Sequence, residues 1–536
     1  MPAISEVASP HDLSAGSGQR ERPFQKEHDS AISVRTAWWD YVSLLGSHVA
    51  FACLTVVGLA LSARLLGPKE YGTVALFMGV IQLFFIIGVK WSFPAVLRFG
   101  RDALIRDGTA GQVVWAWLFL FAGSLTLCSL GLLWGSKAIT RFVGPVDSPI
   151  GVYLIVLALT AVVMAAVQLL QMQGTMKVAA WAPVTSRFVF AGLLVVATIW
   201  SNWHVTPTRL ILLFAVALLV QALLSLPALR KQIFSPRRLD WGLTRTMARY
   251  AFPLWFVCVA GYVSEWVDLY VLRFFRGHAE VGVYQISYQA FLFLAGGLVG
   301  MYTLVFPLLT AWRAEGRQDR ILRYAVRLIP QVGVLWGLLV LGLGIIQGPC
   351  FAMLFGSAFA MSGQVFSILL VSSAFQPLIF LYSPLFLTYD VPGRSTAVMV
   401  IIALVNVLGD LLLVRTFGSF GAAYATAASF AVGAWLCLAW GNRRLEIDHR
   451  AALIPSCLVA ASLLTVAGQG LGIRMAVLLG AACVLVWWAQ AYQVFSRDDL
   501  SMLEHVKCPR WVRRLITNVY TLLSARRPGV VNVGES

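Results

Sequence analysis

A chain of 536 residues with 59% hydrophobic and only 12% charged residues has too little polar surface to coat a soluble body. Its net charge of +17 is no nucleic-acid signature, because the basic residues sit in short connections and a tail, where they face anionic lipid headgroups. The apolar runs are continuous over about 20 residues, as a spanning helix requires, rather than alternating over about ten as in a β-barrel. The expected fold is therefore an all-α polytopic membrane protein.

Residues 1–41, rich in Ser, Gly, Pro and charge, lack the apolar core of a cleaved signal peptide and read as a flexible cytoplasmic tail. Fourteen apolar stretches follow, at 42–63, 72–97, 112–134, 150–172, 178–200, 209–229, 250–272, 281–310, 328–348, 362–387, 395–414, 419–441, 451–470 and 474–495. Six of them form an N-terminal lobe over 42–230, and a basic cytoplasmic linker at 231–249 leads to six more in a C-terminal lobe over 250–441. Two additional helices lie within 451–495. Of the 41 Lys and Arg, 30 fall in one alternate set of connections and tails and 9 in the other. Retention of positive segments inside then places both termini in the cytoplasm. In the basic tail, 496–536, the residues Trp511, Val512, Leu515, Ile516, Val519, Tyr520 and Leu523 recur at helical spacing behind Arg510, Arg513 and Arg514. An amphipathic helix over 509–526 is expected on the cytoplasmic leaflet, either as an anchor or as a docking site for assembly enzymes.

An internal repeat supports the division into two lobes. Arg64-Leu-Leu-Gly67-Pro-Lys-Glu70-Tyr-Gly72 follows the first stretch, and Arg273-Phe-Phe-Arg-Gly277-His-Ala-Glu280-Val-Gly282 follows the seventh. In each, Arg closes a helix and Glu-x-Gly opens the next; similar helix ends on one membrane face are the competing explanation. Six helices is an even number, so the lobes run in the same direction, related by an axis along the membrane normal.

The segments SARLLGPKEYG (Ser62 to Gly72), YAFPL (Tyr250 to Leu254), Asp268, EVGVY (Glu280 to Tyr284), Asn406 and FGSFGAAYAT (Phe417 to Thr426) resemble, in order and spacing, the oligosaccharide flippase family. These are the Wzx-type polysaccharide exporters of the multidrug, oligosaccharidyl-lipid and polysaccharide superfamily. The resemblance covers about residues 42–441. It implies two six-helix lobes around a central cavity in a bacterial cytoplasmic (inner) membrane. The implied activity is transfer of a polyprenyl-pyrophosphate-linked oligosaccharide to the outer leaflet, for O-antigen or exopolysaccharide biosynthesis. The resemblance supports Asp268 as a recurring acidic position and leaves Glu265 without support.

Charged residues inside apolar helices are where function is sought, because burying them unpaired is costly. Lys90 and Arg187 are the two basic residues within the stretches. Lining a cavity they would attract a pyrophosphate, Arg187 as a bidentate fork and Lys90 as a point charge; otherwise they snorkel to the headgroups. Tyr262, Glu265 and Asp268 recur every third residue and are expected on one helical face, where the two carboxylates would carry a coupling proton or sodium ion. The alternative for Asp268, near the outer end, is pairing with Arg273 or with outer-leaflet water. Asp410 and Asn406 form a second polar face, either for ion coupling or as a helix-to-helix hydrogen bond. Tyr284 with Tyr288 and Gln285 with Gln289 form a polar, aromatic strip suited to sugars, or alternatively an interfacial anchor. Most of the 19 tryptophans, among them Trp38, Trp39, Trp200, Trp203, Trp487 and Trp488, read as interfacial belt.

No G-x-x-x-x-G-K-[ST] loop occurs, so ATP is not expected to drive transport. The eight scattered cysteines read as small hydrophobes, and no metal or other cofactor is expected. The outward connections are short, the longest being 135–149, which argues against an enzyme. The expected function is a flippase for a lipid-linked oligosaccharide working by alternating access. The rival readings are a multidrug antiporter of the same superfamily, a membrane oligosaccharide polymerase or ligase, and a lipid II flippase as a narrower variant. Partners expected are the lipid-linked substrate, membrane lipids, H+ or Na+, and polysaccharide assembly enzymes.

Overall fold

The computed structural model describes residues 34–144, 150–199, 205–229, 239–389, 391–445, 450–495 and 510–524, and every regular element among them is helical. In chain order these are α1 (Val34–Leu83), a π-turn (Phe84–Val89), a 3-10 turn (Lys90–Ser92), α2 (Phe93–Asp107), α3 (Gly111–Trp134) and the short α4 (Ser136–Val143). Next come α5 (Ile150–Met172), α6 (Met176–Ile199), α7 (Pro207–Ser225), α8 (Trp241–Phe275) and α9 (His278–Ala314). The remainder are α10 (Gln318–Arg323), α11 (Ile329–Phe355), α12 (Ala360–Thr388), α13 (Pro392–Phe417), α14 (Ser419–Leu445), α15 (Arg450–Thr465), α16 (Leu471–Ala491) and α17 (Arg510–Leu523). The chain is a multi-pass membrane protein.

By length and composition, 12 helices among the described residues are able to cross a membrane, where the sequence suggests fourteen. One of them, Gly46–Asp107, carries two of the expected stretches, and the expected thirteenth is a shorter apolar helix, Ala452–Thr465. The two stretches within the first are separated at Gly67, where φ 72 and ψ 175 leave the helical region just before Pro68. Proline lacks an N–H and disfavours a helical residue before it, so this dipeptide breaks the run.

Other boundaries move outward from the expected ones. The first helix already runs at Val34, inside the expected tail. The last part of the expected linker is helical from Trp241, because the Asp240 carboxylate accepts a hydrogen bond from the Leu243 N–H at 3.0 Å and caps α8. Residues 1–33 and 230–238 lie outside the described residues. The expected tail helix is α17, and it docks on the body rather than standing apart. The Gln490 side chain donates to the Leu522 carbonyl at 2.7 Å, Tyr520 donates to Gln331 at 3.3 Å, and Leu523 is buried. The side chains of Trp511, Val512, Arg513, Leu515 and Ile516 lie outside the described residues.

The helices of residues 42–230 pack among themselves, as do those of 250–441. α1 lies against α6, α6 against α7, and α2 and α7 against α5. In the second half α12 is central, touching α9, α11, α14 and α15, and its span is 94% buried. α15 and α16 pack on α11, so both additional helices ride on the second half. The halves meet through α1 against α9 and through α2 and α3 against α8.

The two Glu-x-Gly repeats meet each other at this seam. A Cβ on Gly72 would collide with the His278 carbonyl oxygen and sit 2.9 Å from the Gly282 nitrogen. A Cβ on Gly282 would collide with the Pro68 carbonyl oxygen and sit 3.0 Å from the Gly72 nitrogen. Residue i touching j while j touches i is what a two-fold relation produces. Here it brings the start of the second apolar stretch against the start of the eighth. On the expected topology, with both termini inside, this end of the seam would be the outer one.

Candidate functional site: a buried carboxylate pair and a cation at the seam

Asp268 projects from α8 into the second half and is 1% exposed. Asn406 on α13 donates to its Oδ1 at 2.6 Å, and Tyr284 on α9 and Thr426 on α14 (3.4 Å) donate to its Oδ2. Asp410, one turn beyond Asn406, is fully buried and lies against Asp268. Among the described residues no N–H or hydroxyl donates to either buried Asp410 oxygen or to the buried Asn406 Oδ1, and Asp410 instead contacts the Asp268 carboxyl. Two neighbouring carboxylates removed from water need positive charge between them, which a proton or a bound cation supplies. The oxygen-only donor set of Asp268, Asn406, Asp410 and Thr426 fits a hard cation, whose preferred ligands are carboxylate, amide and hydroxyl oxygens.

The expected pairing of Glu265 with Asp268 is not formed. At 3.6 residues per turn a spacing of three falls about 60° short of a full turn. Tyr262, Glu265 and Asp268 therefore fan out around α8. Tyr262 is buried and donates to the Gly79 carbonyl at 3.0 Å, besides bonding the Tyr270 hydroxyl. Glu265 is exposed, although it stands in mid-helix. Its electrostatic partner is Lys90, also exposed, across the seam between the halves. Nor does Asp268 pair with Arg273, which donates to the Phe142 carbonyl at 2.8 Å.

Lys90 is aimed by a local distortion. The Lys90 N–H bonds the Phe85 carbonyl, closing a π-turn, and the helix tightens into a 3-10 turn before α2 resumes at Phe93. Side chains satisfy carbonyls of this segment: Trp255 donates to Ile87 O at 2.9 Å, Trp91 to Gly88 O at 2.9 Å and Cys128 to Phe84 O at 3.4 Å. The tryptophans are thus not all belt. Trp117 is fully buried and donates to Ser92 at 3.1 Å, and Trp488 is buried whereas Trp487 is exposed. Trp200 and Trp203, and the side chains of Trp38 and Trp39, lie outside the described residues.

Arg187 lies apart from Lys90, inside the first half. Its guanidinium stands 5.2 Å from the Phe51 ring centre and 5.8 Å from that of Phe214, a cation between two aromatic faces. The expected sugar strip on α9 is mostly core. Tyr284 and Tyr288 are buried with their rings stacked 5.6 Å apart, Tyr288 donates to the Ser264 carbonyl at 3.4 Å, and Gln285 is buried. Burial removes these three from contact with a sugar in this conformation, and Tyr284 serves the acidic cluster. Gln289 alone of the four is part-exposed. Sequence reasoning had missed Thr426 as a member of the site. Its hydroxyl, in an otherwise small and apolar helix start, was the available signal.

The chain matches, over residues 38–312, a family described as polysaccharide biosynthesis protein. It is 21% identical over 426 residues to the probable low-salt glycan biosynthesis flippase Agl15 of Haloferax volcanii, covering 78% of this chain and 86% of that protein. It is 25% identical over 231 residues to the probable flippase AglR of the same organism, covering 40% of this chain and 48% of that one. Among solved structures, the fold is similar to lipid II flippase MurJ in an inward closed conformation, with a TM-score of 0.62 at 12% identity, covering 83% of this chain and 97% of that one. It is equally similar to an inward-facing multidrug resistance MATE transporter of the MOP superfamily, with a TM-score of 0.62 at 16% identity, covering 76% and 98%. The family match spans just over half of the chain, and this protein belongs to that family of polysaccharide biosynthesis proteins.

Proposed function

We propose that the protein is a flippase that moves a polyprenyl-pyrophosphate-linked oligosaccharide from the inner to the outer leaflet of the cytoplasmic membrane, driven by a cation taken up at Asp268 and Asp410. The observation that carries this reading is the buried Asp268–Asp410 carboxyl pair in the second half, next to a seam that exposes Lys90 and Glu265. An oxygen cluster that binds H+ or Na+ differently in two packings of the halves would bias one over the other. The flippase names of the Haloferax relatives point the same way.

Lys90 would engage the pyrophosphate, with Glu265 balancing it when the substrate is absent. Arg187 would offer a second cation in the first half, and Gln289 a hydrogen-bonding contact to sugar. The units 42–230 and 250–441 would rock against each other, with both termini in the cytoplasm.

The test is a reconstituted one. Purified protein is placed in vesicles carrying a lipid-linked oligosaccharide in one leaflet, and glycan arrival in the other is followed with an impermeant lectin under a sodium or a proton gradient. Transfer is expected under one gradient, with loss in Asp268→Asn and in Arg187→Ala at normal protein levels. No transfer above protein-free vesicles under either gradient refutes the reading. A second reading, a multidrug antiporter, is favoured by the exposed Glu265 beside the stacked Tyr262 and Trp266 rings. Cation-driven efflux of a lipophilic cationic dye from the same vesicles, without glycan transfer, would select it.

A further inference from the structure

The seam between the halves holds a cavity that the site described above does not use. A groove of about 630 Å³ opens sideways between the π-turn, α3 and α8. Its walls include Phe84, Ile87, Trp91, Leu127, Phe252 and Trp255. This volume lies within the range of about 300–1,000 Å³ that small-ligand sites occupy.

The wall is hydrocarbon because its backbone has been capped. The carbonyls of Phe84, Ile87 and Gly88 would otherwise make a polar rim, and Cys128, Trp255 and Trp91 satisfy them from within the lining itself. Gly88 lets α3 close against the bulge, since a Cβ there would collide with Cys128 Sγ. On the α8 side the rings of Phe252 and Trp255 lie parallel within 1°, their centres 6.5 Å apart, forming a flat aromatic rail.

A cation stands beside the groove, outside its lining. Trp91 lines the groove, and the preceding residue is the exposed Lys90, whose field reaches Cys258 and Glu265 on the α8 face. A capped apolar slot next to an exposed cation is complementary to a molecule with an anionic head and a long hydrocarbon tail. The flat rings of the rail favour a stiff, methyl-branched, unsaturated chain over a flexible acyl chain, because less conformational entropy is lost on binding. We propose that this groove holds the isoprenoid tail of the substrate while its pyrophosphate sits at Lys90. The inference rests on the flippase reading and adds to it the place where the lipid part rides.

The probe is a polyprenyl pyrophosphate carrying a photoreactive group in its tail, added to the full-length protein in phospholipid vesicles, with the adducts mapped by mass spectrometry. Adducts are expected in 83–91, 124–128 and 252–255, reduced about tenfold by excess unlabelled polyprenyl pyrophosphate and unmoved by excess phospholipid. Leu127→Trp fills the groove from a lipid-exposed position, so folding is spared. It is expected to reduce these adducts about tenfold while leaving Lys90-dependent binding of a short-chain pyrophosphate analogue intact. Equal labelling of the same residues by a photoreactive phospholipid, without competition by polyprenyl pyrophosphate, overturns the proposal, as does unchanged labelling in Leu127→Trp. Saturable, competed adducts elsewhere on the protein overturn the groove alone and leave the flippase reading standing. Absence of any saturable adduct removes both.

Discussion

Close contact of the halves at the Glu-x-Gly end of the seam, the outer end on the expected topology, rests on two glycines, and replacing one of them should wedge the seam open. An alanine at Gly282 would place its Cβ inside the Pro68 carbonyl oxygen and 3.0 Å from the Gly72 nitrogen. Both are backbone atoms, so no side-chain rotamer relieves the contact and the helices must separate. Overpacking of this kind costs about 1–3 kcal/mol, and a rigid backbone neighbour puts it at the upper end. About 3 kcal/mol changes the ratio of open to closed outer seam by roughly a hundredfold. The assay is the reaction rate of a cysteine at position 289 with an impermeant maleimide added outside, in a background where the eight native cysteines are replaced. Gly296→Ala on the same helix is the control, because a Cβ there meets nothing within 4 Å. Gly282→Ala should accelerate labelling and Gly296→Ala should not. Gly72→Ala should behave like Gly282→Ala, and the double variant should add little, because both break one contact. A folded Gly282→Ala protein that labels at the parental rate would falsify the reciprocal glycine contact as the outer closure.

Three further outcomes follow from the same geometry. If Asp268 and Asp410 share a cation, sodium at a hundred times its Kd should stabilise the protein by about 2.7 kcal/mol, read as a rise in Tm. Asp410→Asn should abolish that rise and raise the Tm of the sodium-free protein, and a sodium response of undiminished size in this variant would rule the pair out as the site. Trp255→Phe keeps the aromatic wall but withdraws the donor to Ile87 O, which should cost about 1–3 kcal/mol in detergent unfolding; a change below a few tenths would mean that the π-turn does not depend on that cap. Tyr520→Phe retains the ring contact with Phe495, whose centre is 5.0 Å away, and loses the bond to Gln331. Hydrogen exchange in 510–523 should quicken several-fold, matching a loss of about 1 kcal/mol, and unchanged exchange would show that Tyr520 does not hold the tail helix.

The layout of the helices was legible because the bilayer imposes it on composition: a span must satisfy its backbone internally and present apolar side chains over a fixed length. Asp268, Asn406 and Asp410 stood out for the same reason, as polar side chains where apolar ones are cheaper. Their partners did not, since a polar side chain in a helix bundle is paired by whichever neighbouring helix faces it. Glu265 and Asp268 look like a pair along the chain, yet the helical twist turns one to the seam and the other to the core. There the hydrogen-bonding groups come from residues 284, 406 and 426, on three other helices. The π-turn shows the same limit. Gly88, Lys90 and Pro94 mark an irregular place in the sequence, but its carbonyls are satisfied by Trp255 and Cys128, distant along the chain. The indole N–H of Trp255 thus fixes, from another helix, the turn that presents Lys90. The distortion, the groove and the exposed cation are consequences of one packing arrangement between the halves, so a substitution at Trp255 should disturb the placement of Lys90 from across the seam.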